Sequence, residues 1–250
     1  MKHTVDYREL ADSIEEWIRQ TVSKASAGGV VVGLSGGLDS AVSASLCAEA
    51  LGKENVLGLI MPCGSVQADT DDGKAIASHL GINYKVIDLS PVLQSFVEAG
   101  RLDSSFVMNI ANIKSRLRMV MLYAHSSNRL VLGTSNYSEI QVGYWTKWGD
   151  GASDFLPIGR LYKDEVRKLG SVLGLPGWVI DRVPSAGLWA GQSDEDEMGV
   201  SYEDIKEYFA GGNVSDSVKA RMETMIRSTE HKRNPTVYFA ARKWMEDNDR

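Results

Sequence analysis

A glycine-rich segment in the first fifth of the chain has the residues of a phosphate-binding turn. It reads Ser35-Gly36-Gly37-Leu38-Asp39-Ser40-Ala41 and follows the β-branched run Val30-Val31-Val32. Paired glycines let the backbone approach an anion closely, and the free N–H groups of a helix that starts there favour negative charge. The segment lacks the Gly-Lys-Ser/Thr of a Walker A motif and the spacing of a Rossmann fingerprint.

Asp39 is the residue of this segment that phosphate alone does not explain. A carboxylate beside phosphates repels them unless a cation such as Mg²⁺ lies between the two. The segment therefore predicts phosphate binding together with a metal ion. The alternative is a tight strand–helix turn in which Asp39 or Ser40 only caps the helix. The full seven residues after a buried strand favour the functional interpretation.

The hydrophobic pattern predicts strands and helices in alternation, which indicates an α/β fold with a doubly wound, Rossmann-like parallel sheet. Ligands of such sheets bind outside the carboxyl ends of the strands, so the loops 35–39, 62–66 and 134–139 are expected to meet there. Helices are predicted over 7–22, 39–51, 68–80, from 91 onwards and over 106–125, and strands over 30–34, 56–61, 84–88 and 130–133. The C-terminal part is predicted to be helical, over 162–174, 202–209 and 215–232, within one domain that spans 1–250.

Two segments lack a clear period. The stretch 134–157 is predicted to be a long functional loop. The acidic run 194–197 is predicted to be a solvated helix start rather than a metal site. The loops 62–68, 138–155 and 187–200 are expected to order when ligands bind.

Composition excludes several classes of protein. Hydrophobic residues make up 43% of the 250 and charged residues 24%, with no apolar run near the roughly 20 residues of a membrane helix. No secretory signal is recognisable at the N-terminus. The net charge of −6 argues against a general nucleic-acid binder. Two cysteines, Cys47 and Cys63, cannot build a disulfide framework and fit a cytoplasmic protein.

The residues Ser-Gly-Gly-Leu-Asp-Ser resemble the PP-loop of the N-type ATP pyrophosphatases, which activate a substrate oxygen as an adenylate and release pyrophosphate. The resemblance implies an adenine nucleotide alpha hydrolase-like fold and cleavage of ATP between its α- and β-phosphates. Further segments are similar to the NAD synthetase family in particular: Asn112 to Met119, Gly133 to Glu139, Gly143 to Asp150, Pro157, Lys163, Pro184-Ser185-Ala186, Asp194-Glu195 and His231-Lys232.

The family resemblance implies a ligase that amidates deamido-NAD with ammonia, using ATP and Mg²⁺, as a homodimer. It implies a metal site at Asp39 and Glu139. It implies ATP contacts at Gly33, Leu34, Ser35, Gly36, Gly37, Leu38, Asp39, Ser40, Thr134, Lys163 and Ser185. It implies deamido-NAD contacts at Arg116, Lys147, Asp154, His231 and Lys232, with Arg116 reaching across the dimer interface. Asp39 and Lys163 are the expected catalytic residues, and Asp154 is the candidate base for ammonium.

The residues alone leave other interpretations open. Arg116 shares a helix face with Asn112 and points to a different side from Arg118. The opposing apolar stripe is predicted to comprise Ile110, Ile113, Leu117, Val120, Met121 and Ala124. The aromatics Tyr144, Trp145 and Trp148 are more often packed in a core than stacked on a ligand. The basic residues 231–233 suit a helix C-terminus before Pro235. Lys163 at a helix start is poorly placed for the macrodipole.

About 30 residues precede the first strand, too few for the amidase domain of glutamine-dependent relatives, so free ammonia is the expected nitrogen donor. A competing hypothesis is a tRNA-modifying PP-loop enzyme, which would need a basic RNA face. Another is a nucleotide-binding sensor without turnover.

Overall fold

The computed structural model describes residues 5–103, 105–185, 193–241 and 245. Ala186 and the part of the loop 187–200 that precedes residue 193 lie outside these ranges. Four parallel strands form one sheet in the order β3-β2-β1-β4: β1 Val30–Gly33, β2 Val56–Ile60, β3 Asn83–Val86 and β4 Leu130–Leu132. The parallel α/β sheet is confirmed. Because β2 and β4 lie on opposite sides of β1, the order reverses there, and such a switch point opens a crevice at the carboxyl ends.

Helices cover both faces of the sheet, because successive strand residues point to opposite sides. On one face Val30 and Val32 pack with α1 Tyr7–Lys24, α2 Leu38–Leu51, α3 Gln67–Leu80, α7 Lys163–Val172 and α8 Gly177–Ile180. On the other face Val31, Leu59 and Val131 pack towards α5 Val107–Ala124, which follows α4 Ser90–Gly100. Within the described ranges no helix is long and apolar enough to cross a membrane.

A smaller apolar cluster joins the C-terminal helices to the sheet edge. It is formed by Val142, Met198, Tyr202, Ile205 and Met222. These residues come from α6 Tyr137–Val142, α9 Asp194–Met198, α10 Tyr202–Phe209 and α11 Asp216–Ser228, and the short helix α12 Glu230–Arg233 follows α11. The cluster fixes α6 and α10 beside the carboxyl end of β4, where ligands of this fold bind.

Three predictions about local structure differ from the structure. The stretch 134–157 contains the helix α6, which Asn136 caps at the start and Gly143, in the left-handed region, ends. The apolar stripe on α5 is only partly right, because Leu117 and Met121 pack towards the sheet but Val120 is 57% exposed, and the buried residues of the helix are Ala111 and Ser115. The predicted helix over 215–232 is interrupted at Thr229, which separates α11 from α12.

Candidate active site

The glycine-rich segment connects β1 to α2, and most of its residues line a cavity. Gly36 has φ +83°, in the left-handed region that favours glycine, and Gly37 occupies the N-cap position of α2. No side chain caps α2, so the alternative in which Asp39 or Ser40 is a capping residue is wrong. Ser35 Oγ accepts a hydrogen bond from Gly37 N over 3.2 Å, and Ser40 Oγ donates to Gly37 O over 2.9 Å. The two hydroxyls therefore stabilise the turn through hydrogen bonds with the backbone of Gly37.

A buried ammonium lies between two carboxylates at the start of α2. Lys163, 4% exposed, forms an ion pair with Asp39 and lies 3.8 Å from Glu139 Oε1. Three helices meet here, because Asp39 belongs to α2, Glu139 to α6 and Lys163 to α7. Burial alone would lower the pKa of Lys163, but the two carboxylates outweigh it and the net shift is upward. Lys163 therefore stays charged, and its unfavourable position for the helix dipole is explained by these partners.

The side chain of Asn136 hydrogen-bonds both carboxylates. Its side-chain amide donates to Asp39 Oδ1 over 3.3 Å and to Glu139 Oε1 over 2.7 Å, and its carbonyl oxygen accepts from the backbone N–H of Glu139. Burial, and then the nearby charge of Asp39, raises the pKa of Glu139. Two carboxylates held this close would gain from a shared cation.

The acidic run contributes to the same centre, which corrects the prediction that it is simply solvated. Asp194 is buried, and the Tyr202 hydroxyl lies 3.0 Å from its Oδ2 and 3.2 Å from Glu139 Oε1. The Tyr144 hydroxyl donates to Asp194 Oδ1 or Glu197 Oε2. Burial raises the pKa of Asp194. The first residue of the run therefore belongs to the interior, although the run does start a helix as expected.

These groups line a cavity of about 430 Å³ at the carboxyl ends of the strands. Most of the residues expected at an ATP and metal site lie in its wall: Gly33, Leu34, Ser35, Gly37, Leu38, Asp39, Ser40, Thr134, Glu139, Lys163 and Ser185, together with Lys232. Arg116, Lys147, Asp154, His231 and Gly36 are not among the residues of that wall. The structure thus brings the predicted ATP residues together in one chain but leaves most of the predicted deamido-NAD residues outside.

Asp154 has structural partners that the sequence did not suggest. Its Oδ2 accepts from the backbone N–H of Val131 over 2.7 Å, and its Oδ1 accepts from the Tyr123 hydroxyl over 3.3 Å. Both oxygens thereby hold the edge of β4. A role of Asp154 as the base for ammonium stays a prediction.

Three of the other predicted substrate residues form a chain at the rim of the cavity. The Arg116 guanidinium donates to Lys147 O, over 3.1 Å from Nη2 and 3.3 Å from Nε. Lys147 Nζ donates to His231 O over 2.6 Å, and Lys232 Nζ donates to Gly143 O over 2.7 Å. Lys232 therefore caps the end of α6 rather than its own helix. We call Arg116, Lys147, His231 and Lys232 the substrate rim.

The aromatics near the rim behave differently from one another. Tyr144 packs against the C-terminal cluster, as the packing interpretation expected. Trp148 is 59% exposed and adopts φ +63°, so packing was the wrong expectation for it. Arg118 points away from Arg116, as predicted, and its guanidinium donates to Met61 O and Ser65 Oγ.

Sequence reasoning missed Asn136, Tyr202 and Arg182 as parts of the site. Asn136 had a detectable signal, since an Asn three residues before Glu139 is a capping-box pattern. Tyr202 and Arg182 had none, because their partners lie far away along the chain. Arg182 forms an ion pair with Asp72 and donates to Asp69 Oδ1 over 2.5 Å and to Gly36 O over 3.0 Å.

The donor set at the start of α2 suits Mg²⁺. The carboxylates of Asp39 and Glu139 are hard oxygen donors, and Mg²⁺ is usually held by one or two carboxylates plus substrate phosphates. In the part of the chain that the structure describes, no group of three or more His, Cys, Asp or Glu residues could hold a metal by itself. The two carboxylates therefore fit an ion that arrives with phosphates better than a permanently caged one.

The chain is similar to known proteins in sequence and in fold over most of its length. A family model described as NAD synthase matches residues 10–236. The chain is 43% identical over 249 residues to the NH(3)-dependent NAD(+) synthetase of Thermococcus kodakarensis, covering 93% of this chain and 97% of the relative. A solved structure of NMN synthetase from Francisella tularensis has a TM-score of 0.90 at 36% identity, covering 95% of this chain and all of that one. A solved structure of the NH3-dependent NAD synthetase of Campylobacter jejuni has a TM-score of 0.79 at 32% identity, covering 94% of this chain and all of that one.

Proposed function

The chain belongs to the NAD synthase family, and from this premise we propose that it amidates deamido-NAD with ammonia at the expense of ATP. The nicotinate carboxylate attacks the α-phosphorus of ATP, which forms an acyl adenylate and releases pyrophosphate. Ammonia then attacks the activated carbonyl, and NAD⁺ and AMP leave. The reaction needs no covalent bond to the protein, so positioning and electrostatics carry most of the catalysis.

The observation that carries the proposal is the buried centre of Asp39, Glu139 and Lys163 beside an uncapped helix start in one cavity. Negative charge develops on the pyrophosphate as it leaves. Backbone N–H groups of the loop and the Lys163 ammonium are donors fixed in advance for that charge, and preorganised donors of this kind lower a barrier most effectively.

Asp39 and Glu139 would hold Mg²⁺, which would supply positive charge against the phosphates of ATP. Without a metal, the Lys163 ammonium offsets part of the charge of the same two carboxylates. Asn136 keeps both side chains in place through its amide. The protein thus has a preformed pair of oxygen ligands and a cation that can turn to phosphate.

The acceptor side of the reaction is proposed to be completed by a second copy of the chain. Helices α4 and α5 expose a set of large apolar side chains, which we call the α4–α5 face: Val92, Phe96, Phe106, Val107, Met108 and Val120, each 46–61% exposed. Exposed apolar patches on this scale mark interaction sites. Arg116 lies on α5, so a second copy on this face would bring its guanidinium close to the partner's cavity.

The reaction is proposed to take place in the cytoplasm and without nucleic acid. Cys47 and Cys63 are buried free thiols, which suits a reducing compartment. The net charge of −6 disfavours the tRNA-modifying alternative, which salt-dependent tRNA binding would revive. Pyrophosphate release would exclude the sensor without turnover.

A direct test incubates the folded protein with ATP, Mg²⁺, deamido-NAD and ammonium. We expect NAD⁺ and AMP in equal amounts, and the absence of both from protein that binds ATP would overturn the assignment. Asp39→Asn should lower kcat about 100-fold or more. Asp71→Asn is the matched control, because Asp71 is a 58% exposed carboxylate on α3. Full turnover by Asp39→Asn would remove Asp39 from the metal site.

A second candidate acceptor is the mononucleotide of nicotinate. The solved structure with a TM-score of 0.90 is that of an NMN synthetase. Both acceptors present the same carboxylate, so the loop and Lys163 would act alike on either. Competition between the two at equal concentration gives the ratio of their kcat/KM values. A higher kcat/KM for the mononucleotide would reassign the acceptor while leaving the ATP chemistry intact.

A further inference from the structure

Arg182 makes a contact that neither the metal site nor the substrate rim explains. It follows α8, and its Nη1 donates to the carbonyl oxygen of Gly36 over 3.0 Å. The same guanidinium forms an ion pair with Asp72 and lies 2.5 Å from Asp69 Oδ1. Both carboxylates belong to α3, so Arg182 joins that helix to the phosphate loop. We infer that Arg182 is a positioning residue that fixes the orientation of the Gly36–Gly37 peptide for phosphate binding.

The geometry of a trans peptide makes this contact consequential. The C=O and N–H of one peptide point in opposite directions. Because Gly36 O faces Arg182, the N–H of Gly37 points the other way, towards Ser35 Oγ at 3.2 Å. Gly37 and Ser35 line the cavity, whereas Gly36 is not among its lining residues. Arg182 therefore keeps the Gly36 carbonyl turned away from Ser35 and the Gly37 N–H on the side of Ser35.

Two glycines in a row give this peptide the freedom to rotate, so something must hold it. A flipped peptide would turn its carbonyl oxygen towards the phosphates and remove one donor from them. Gly36 also has α3 against it, because a Cβ there would lie 2.9 Å from Asp72 Cβ and 3.0 Å from Asp69 O. The same helix thus supports the loop from behind and aims the guanidinium that holds it.

The two aspartates separate this role from direct phosphate binding. Arg182 lines the cavity, and an arginine there could contact phosphate itself. Asp69 and Asp72 instead engage its nitrogens and hold the guanidinium against α3. Arg182 acts through Gly36 and Gly37. Two residues of the segment that follows it, Val183 and Ser185, line the same cavity.

The test compares Arg182→Met and Arg182→Lys with the wild type. This inference rests on the proposed ATP site, so ATP binding by the wild type is measured first by calorimetry, and its absence would reject the proposed function rather than the role of Arg182. Arg182→Met should raise the Kd for ATP about tenfold, equivalent to about 1.4 kcal/mol. It should change the KM for deamido-NAD less than twofold. Arg182→Lys should recover part of the loss, because a lysine can still donate to Gly36 O.

Two controls separate positioning from a loss of structure. Arg8→Met removes a comparable arginine, which bridges Asp12 and Glu15 on α1, and should leave the Kd for ATP unchanged. The double variant Asp69→Asn with Asp72→Asn should weaken ATP binding if the carboxylates aim Arg182. Tighter binding by that variant would identify Arg182 as a direct phosphate contact, and an unchanged Kd in folded Arg182→Met and Arg182→Lys would also overturn the inference.

Discussion

The phosphate side of the cavity, formed by Asp39, Glu139 and Lys163, differs from the substrate rim in the partners of its charged side chains. In the interior, the Lys163 ammonium pairs with the carboxylates of Asp39 and Glu139, through side chains from three helices. At the substrate rim, Arg116, Lys147 and Lys232 donate to backbone carbonyls, and among the described residues no carboxylate lies within 4.0 Å of their cationic groups. In a chain of net charge −6 these cations are available to an anionic ligand.

The predicted ATP residues of one chain meet in one cavity, whereas most of the predicted acceptor residues lie outside its wall. In the buried network each charged group has a partner, which stabilises the network without ligand. A set of cations held only by carbonyls gains more when phosphates or a carboxylate arrive. Arg116 also lies on α5, so the exposed α4–α5 face is the surface on which the proposed second copy would complete the acceptor side.

Removing Lys163 would break the phosphate side most severely. Lys163→Met leaves Asp39 and Glu139 buried without their cation, so we expect kcat to fall about 1,000-fold and the free energy of unfolding to fall by about 3 kcal/mol. Pyrophosphate release and urea unfolding measure the two effects. Lys168→Met, on the same helix but exposed, should change neither. Retention of a tenth of the turnover would contradict the role of Lys163.

A charge on the α4–α5 face should separate the two sides of the cavity. Phe106→Asp places a carboxylate on a residue that is 61% exposed in one chain. We expect a monomer by sedimentation and a KM for deamido-NAD raised more than tenfold, about 1.4 kcal/mol or more, with the KM for ATP little changed. Val5→Asp, also on an exposed apolar residue, is the control. A monomeric variant with an unchanged KM would show that one chain completes the acceptor site.

Arg116→Ala tests the rim itself. Among the residues that the structure describes, the guanidinium donates only to Lys147 O, so its loss should leave stability nearly unchanged. We expect the KM for deamido-NAD to rise about tenfold, about 1.4 kcal/mol, while kcat falls less. Arg19→Ala, on the exposed face of α1, serves as the control. An equal rise in the KM for ATP would mean that Arg116 supports the whole cavity rather than the acceptor.

The same contrast explains what the sequence could predict. The strands β1, β2 and β4 were predictable because they are short, largely buried apolar runs, as in Val30 to Val32. The helix α6 was missed because six residues are too few to show a period, although Asn136 and Gly143 mark its ends. Asp39 was predicted to be a metal ligand from its place in the loop, and that role stays a prediction. Its ion pair with Lys163 was not predictable, because 124 residues separate the two and only packing of α7 on α2 brings them together.

The smallest expected effect concerns the hydroxyl that joins the acidic run to the metal carboxylates. Tyr202→Phe removes the group between Glu139 and Asp194 but keeps the ring that lies 5.1 Å from Lys163 Nζ. A hydroxyl has one proton to donate, so we expect a loss of about 1–2 kcal/mol in the free energy of unfolding and a few-fold fall in kcat. Tyr208→Phe is the control on the same helix, because its hydroxyl makes no hydrogen bond to another described residue. If stability falls while kcat stays at the wild-type value, Asp194 belongs to the scaffold of the site and the phosphate side ends at Glu139.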